Sequence, residues 1–153
     1  MSFQSRNGTF GGRQPRGWLM RWFNRQAVKR IKDRGGRIRG MDVLVLTAVG
    51  KKTGVLRETP LAWFPGPDGS WLVVASAAGA RENPAWYYNI AAHPNQVTIS
   101  YSGNTTAVAA QQLHGDERAV AWRTVLEHAP SYANYLKKTD RELPIIRLTR
   151  RAA

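Results

Sequence analysis

Apolar positions recur every three to four residues near the start of the chain. Trp18, Leu19, Trp22, Phe23, Ala27 and Ile31 share one helical face, and Arg21, Arg25, Lys29, Arg30 and Lys32 fill much of the rest. This spacing predicts a basic amphipathic helix within residues 16–36, stopped by Gly35 and Gly36. From Val43 the period changes. Val43–Val49 is short, β-branched and almost wholly apolar, like a buried strand. Gly50-Lys51-Lys52-Thr53-Gly54 reads as a tight turn, and Val55–Phe64 as the return strand, with Pro60 marking a bulge or an edge. Pro65–Gly69 is a strong turn signal before a third strand, Trp71–Ser76.

Asn83-Pro84 reads as an N-cap followed by proline at the first helical position, opening a helix that runs to Ala92, before His93-Pro94. Gln96–Tyr101 and Thr105–Leu113 form a hairpin around Ser102-Gly103-Asn104. Asp116 opens a helix to His128, Pro130 breaks it, Ser131–Lys138 is a short helix and Pro144–Thr149 a last strand. The short links between strands predict a mainly antiparallel sheet rather than βαβ units. The fold class is therefore α+β. Its six strands are expected to close into a small barrel with helices packed outside, over residues 37–153.

Composition adds three constraints. The 153 residues suit one domain with one core. There is no cysteine, which excludes disulfides, thiolate metal sites and cysteine nucleophiles. No apolar run approaches the ~18 residues of a bilayer span, and the N-terminus has no secretory h-region, so the default compartment is the cytosol. The net charge of +13 is uneven. Residues 1–40 carry 11 Lys and Arg against the single acid Asp33, whereas residues 41–153 carry 12 bases against 9 acids. Residues 1–15, rich in Gly, Ser, Gln and Arg, read as a disordered basic tail.

The turn at 50–54 carries the most chemistry. Two glycines let the backbone curl so that N–H groups face an anion, while Lys51, Lys52, Thr53 and Arg57 add charge and a hydroxyl, a set able to grip a phosphate. An ordinary charged hairpin turn has the same composition. It is not a nucleotide P-loop, because the four-residue gap before Gly-Lys-Thr and the following helix are missing. A second cluster runs from Ser76 through Gly79 and Asn83 to Trp86 and Tyr87, where small residues precede a helix N-terminus; it reads as a groove for a flat anionic ligand or as a plain strand-to-helix loop with core aromatics. In a third, Tyr132 and Tyr135 lie three residues apart on one helical face, over a pocket or in the core. His93, His114 and His128 show no metal-ligand spacing, so no metal is expected, and neither a carboxylate pair nor a Gly-x-Ser-x-Gly elbow is present.

These pieces, in this order, resemble the deazaflavin-dependent nitroreductase family of actinobacteria, whose members bind coenzyme F420. The similarity spans Val43 to Leu148. It rests on Gly50–Gly54 with Arg57, Pro60-Leu61, Ala75-Ser76 with Gly79, Asn83–Asn89 with His93-Pro94, Ser131-Tyr132 with Tyr135, and Thr139–Arg141 before Pro144-Ile145. The resemblance implies a split β-barrel related to FMN-binding proteins. It implies that Lys51, Lys52, Thr53 and Arg57 hold the cofactor's phosphate and acidic tail. It implies that Pro60, Ser76, Ala77, Ala78, Gly79, Trp86 and Tyr87 line the groove for the ring, with Asn83 beside them. Tyr132 and Tyr135 would border a small electron-poor acceptor, a quinone, enone or nitroaromatic, and polarise it or relay a proton.

Other readings of the same pattern are an FMN protein of this barrel type and a non-enzymatic carrier of deazaflavin or lipid. The basic helix suits peripheral contact with the inner face of an anionic membrane through residues 16–34, or a cover over the barrel. Nucleic acid is not an expected partner, because no binding motif accompanies the charge. A homodimer is a candidate, since small barrels of this kind often bury an open face.

Overall fold

In the computed structural model the described residues are 3–9, 18–38, 40–76 and 82–151, with the side chains of 18–24 and 38 excepted. The chain order is α1 (Trp18–Arg34), β1 (Arg37–Ile38), β2 (Met41–Val49), β3 (Leu56–Ala62), β4 (Phe64–Pro65), β5 (Trp71–Val74), α2 (Ala85–Ala92), β6 (Val97–Tyr101), β7 (Asn104–Gln112), α3 (Gly115–His128), a 3-10 turn (Pro130–Asn134), α4 (Tyr135–Lys138) and β8 (Ile145–Arg150).

Every strand pairing is antiparallel. The sheet runs β1-β2-β6-β7-β8-β5-β4, with β3 on β2. The expected six strands become eight among the described residues, because β1 and β4 are extra strands of two residues each. The return strand expected as Val55–Phe64 is split. Leu56–Ala62 pairs with β2, the chain bends at Trp63, and Phe64–Pro65 pairs with β5. One segment thus touches both ends of the sheet and curls it. Pro60, opposite Val45, sits on β3, which pairs on one side only, so its missing N–H costs no ladder bond.

From Val43 onward β2 is almost wholly apolar because both of its faces are covered. Leu44, Leu46 and Ala48 point into the barrel with Val73, Val97, Ile99, Val108, Ile146 and Leu148, and Trp86, Tyr87 and Ile90 of α2 enter the same interior. Val43 and Val45 point outward onto Val28 and Ile31 of α1. That half of α1 therefore covers the barrel, with Arg25, Lys29 and Arg30 left exposed. The hairpin tip at Ser102-Gly103 caps α1, its N–H groups donating to the carbonyls of Ile31 and Lys32. Under α3 a second core gathers Phe64, Leu72, Val74, Leu113, Val125, Tyr132, Leu143 and Ile145. Adjacent residues of β5 alternate between the two cores, as the two-residue strand period requires.

Two expected caps are replaced. Pro84, not Asn83, is the N-cap of α2, and Asn83 turns its side chain elsewhere. α3 begins at Gly115 with His114 as N-cap, one residue before the expected Asp116. Residues 3–9, inside the stretch whose composition predicts disorder, lie along the barrel. Gln4 exchanges two hydrogen bonds with the buried Gln112 side chain, and the Thr9 N–H donates to Asp140.

Candidate functional site

The turn between β2 and β3 is held by its own backbone. The Gly50 N–H donates to Val55 O and the Gly54 N–H to Gly50 O, and the Thr53 hydroxyl accepts from Val55 N–H. Gly54 has φ +71°, a conformation that favours glycine. A Cβ at Gly50 would lie 2.9 Å from Val55 O, so only glycine fits there. The turn leans on α2. Asn89 Oδ1 accepts from the Lys51 N–H at 2.9 Å, and Lys51 Nζ lies 6.0 Å from the centre of the Tyr88 ring.

Lys51, Lys52, Thr53 and Arg57 are all exposed. Among the described residues none of the three cations is in an ion pair, and the neighbouring Glu58 is engaged by Lys32 instead. Two cations and a hydroxyl on the turn, with a third cation at the start of β3, are a donor set able to hold an acidic, phosphate-bearing ligand. Val55 and Leu56 beside them are exposed apolar residues.

The second cluster is only partly visible. Ala77, Ala78 and Gly79 lie outside the described residues. Ser76, half-buried, and Asn83, buried, flank them, and both are bound by Arg141. Arg141 as a whole is 2% exposed. Its Nη1 donates to Ala75 O at 2.9 Å and to Asn83 Oδ1, and its Nη2 donates to Ser76 O at 2.8 Å. Burial lowers its pKa from the ordinary arginine value.

Trp86 and Tyr87 are buried in the barrel interior, where they build the core beneath the cluster. The Tyr87 hydroxyl donates to Gln112 Oε1 at 2.6 Å, and Phe3 meets its ring edge-on at 5.8 Å. Pro60 is half-buried on β3, on the strand that leaves the cationic turn.

Tyr132 and Tyr135 lie in the other core. Tyr132 is buried, edge-on to Phe64 at 5.5 Å and to Tyr135 at 5.3 Å. Among the described residues nothing hydrogen-bonds either hydroxyl, and the pair belongs to the core under α3, whereas Trp86 and Tyr87 belong to the barrel interior on the other face of β5. The structure therefore brings the turn, α2 and the end of β5 together, and leaves the two tyrosines beyond β5. Three contributors to this arrangement went unassigned in sequence. Tyr88 and Asn89 sit among the apolar residues of a short helix, and Arg141 is a lone basic residue whose partners are some sixty positions away.

Burial pushes the Tyr87 phenol up to about 12, with Tyr88 and Glu142 adding to the effect, and pushes Tyr132 up to about 12, with Tyr135 adding. Both phenols are therefore donors at neutral pH. The sign for stability follows. Below about pH 10 both are protonated folded or unfolded, so pH has no effect through them. Between about 10 and about 12 the folded chain holds protons that the unfolded chain has lost, so stability falls as pH rises. Urea unfolding from about pH 9 to about pH 12 is expected to show this slope, and Tyr87→Phe with Tyr132→Phe to flatten it. An unchanged slope in the double variant would assign the alkaline loss to other groups.

A family model described as F420H(2)-dependent quinone reductase matches residues 19–150. An F420H(2)-dependent quinone reductase of Mycobacterium tuberculosis is 37% identical over 111 residues, 71% of this chain and 73% of the relative. The solved structure of an F420-H2 dependent reductase superposes with a TM-score of 0.62 at 32% identity, covering 72% of this chain and 94% of that one. A second structure, described as a domain-swapped dimer, reaches a TM-score of 0.64 at 28% identity, covering 86% and 96%. With the curled antiparallel barrel, the cationic turn and a match over most of its length, the chain belongs to the F420H(2)-dependent quinone reductase family.

Proposed function

We propose that this chain binds reduced coenzyme F420 and directs a hydride from it to a quinone or another small electron-poor acceptor. The observation that carries the reading is the turn presenting Lys51, Lys52 and Thr53, with Arg57 at the start of β3, none of the three cations in an ion pair among the described residues and the turn hydrogen-bonded to α2 through Asn89. These four residues hold the phosphate and acidic tail by charge-assisted hydrogen bonds. Ser76, Asn83 and the start of α2, above Trp86 and Tyr87, orient the flat part, together with Ala77, Ala78 and Gly79; Pro60 walls the groove on the β3 side. When bound, the reduced deazaflavin supplies the hydride itself, so the protein needs no nucleophile or metal. The chain's work is to bind, orient and exclude water.

Tyr132 and Tyr135 polarise the acceptor or donate a proton to it. Supporting this, neither hydroxyl is taken by a protein partner among the described residues, and Tyr135 is only partly buried. Changing both to Phe is expected to lower kcat by about 10²-fold with F420 affinity retained. Wild-type turnover in that variant would remove both from the reaction.

Two further parts belong to the same reading. Residues 16–34 contact an anionic membrane surface at the inner face of the cell membrane, supported by the concentration of basic residues there, with Arg25, Lys29 and Arg30 exposed. No described helix is long and apolar enough to cross a membrane. A homodimer is supported by the related structure described as a domain-swapped dimer. The deciding experiment is anaerobic titration with reduced and oxidised F420 and with FMN, followed by quinone, enone and nitroaromatic acceptors. Tight F420 binding with acceptor-dependent oxidation is expected. Preference for FMN would overturn the cofactor, and binding without turnover would leave a carrier.

A further inference from the structure

Arg141 takes no part in the function proposed above, yet it is among the most completely buried charged side chains described. A guanidinium withdrawn from water is tolerated where its hydrogen bonds are met by fixed acceptors. Three of its acceptors come from two elements. Ala75 O and Ser76 O lie at the end of β5, and Asn83 Oδ1 lies just before α2. The Arg141 N–H is itself held by Thr139 Oγ1 at 3.2 Å. The planar fork spans the β5 end and the α2 start at once, a geometry that a lysine ammonium does not reproduce.

The tie continues along α2. Asn83 leads into the helix through Pro84, whose carbonyl accepts from the Tyr87 N–H at 3.0 Å. Further along the helix, Asn89 holds the Lys51 N–H of the cationic turn. One guanidinium therefore connects Ser76 to the turn at Lys51 through a single short helix.

Resting on the proposed F420 site, we infer that Arg141 is its positioning residue. It sets the placement of α2, and hence of the turn at Lys51, relative to the end of β5, so that a ligand gripped by its tail at 51–57 has its flat part presented at Ser76 in one fixed orientation. It touches neither tail nor acceptor in this scheme and acts through Asn83, Ala75 and Ser76.

Arg141→Lys, which keeps the charge and loses the fork, and Asn83→Ala, which removes one acceptor, test it. In each variant without cofactor, amide hydrogen exchange at Tyr87 and Lys51 is expected to speed up about tenfold, while the β6–β7 hairpin exchanges at its wild-type rate. With F420 the Arg141→Lys variant should keep a Kd within about threefold of wild type while kcat falls about thirtyfold or more, because the tail contacts survive and the orientation does not. Exchange that accelerates equally throughout the sheet, or wild-type exchange and kcat in both variants, overturns the inference. If the wild-type protein does not bind F420, the site reading fails, and the cofactor-free exchange alone decides whether Arg141 ties β5 to α2.

Discussion

Replacing Lys51, Lys52 and Arg57 together with alanine is expected to weaken F420 binding by about 10²- to 10⁴-fold. Each charge-assisted hydrogen bond contributes about 1.5–3 kcal/mol, and three that share one acidic ligand add less than their sum. At about 1.4 kcal/mol per decade, this range follows. All three side chains are exposed and free of ion pairs among the described residues, so the fold has little at stake in them. The melting temperature should therefore hold while affinity collapses. Raising the salt concentration should weaken the wild-type complex far more than the variant. Fluorescence titration of the bound deazaflavin measures both. Unchanged affinity would move the ligand's acidic part away from this turn.

The largest loss of stability is expected from Phe64→Ala, about 3–5 kcal/mol by urea unfolding. Phe64 is 1% exposed, and its ring meets Tyr132 edge-on at 5.5 Å and His128 at 6.2 Å. It also stands where the chain leaves β2 and joins β5, opposite Leu72. Truncation removes apolar burial, opens a cavity in the core under α3, and loosens the corner that curls the sheet. For a domain whose whole stability is about 5–15 kcal/mol, that leaves little. Phe64→Leu keeps most of the volume and should lose about 1–1.5 kcal/mol. A loss below about 1 kcal/mol for the alanine variant would show that this core collapses around the gap.

Much of the site is legible in the order of residues because it is local. The turn at 50–54 is written in consecutive residues, and its function as a turn depends on two glycines and neighbours a few positions away. The cations stand where a turn must put them, facing water. By contrast, Asn83 reads as a helix cap from its place before Pro84, yet its side chain is claimed by Arg141, 58 positions later. A capping preference worth about 1 kcal/mol yields to a bond with a buried cation, whose unmet donors would cost more. The same competition hid the order of residues 3–9. A short polar stretch with the single apolar residue Phe3 carries almost no core signal, and its contacts with Gln112 and Asp140 lie more than a hundred positions away.

By itself the sequence determined the alternation of elements, the antiparallel sheet and the positively charged turn. Each rests on hydrophobic period, glycine conformation and charge, which are properties of neighbouring residues. Only the tertiary structure decided how the return strand is shared between β2 and β5, which core receives Tyr87 and which Tyr132, and what the buried Arg141 holds. Those outcomes depend on which distant backbone carbonyls and rings become neighbours once the sheet curls, and no local pattern encodes that choice.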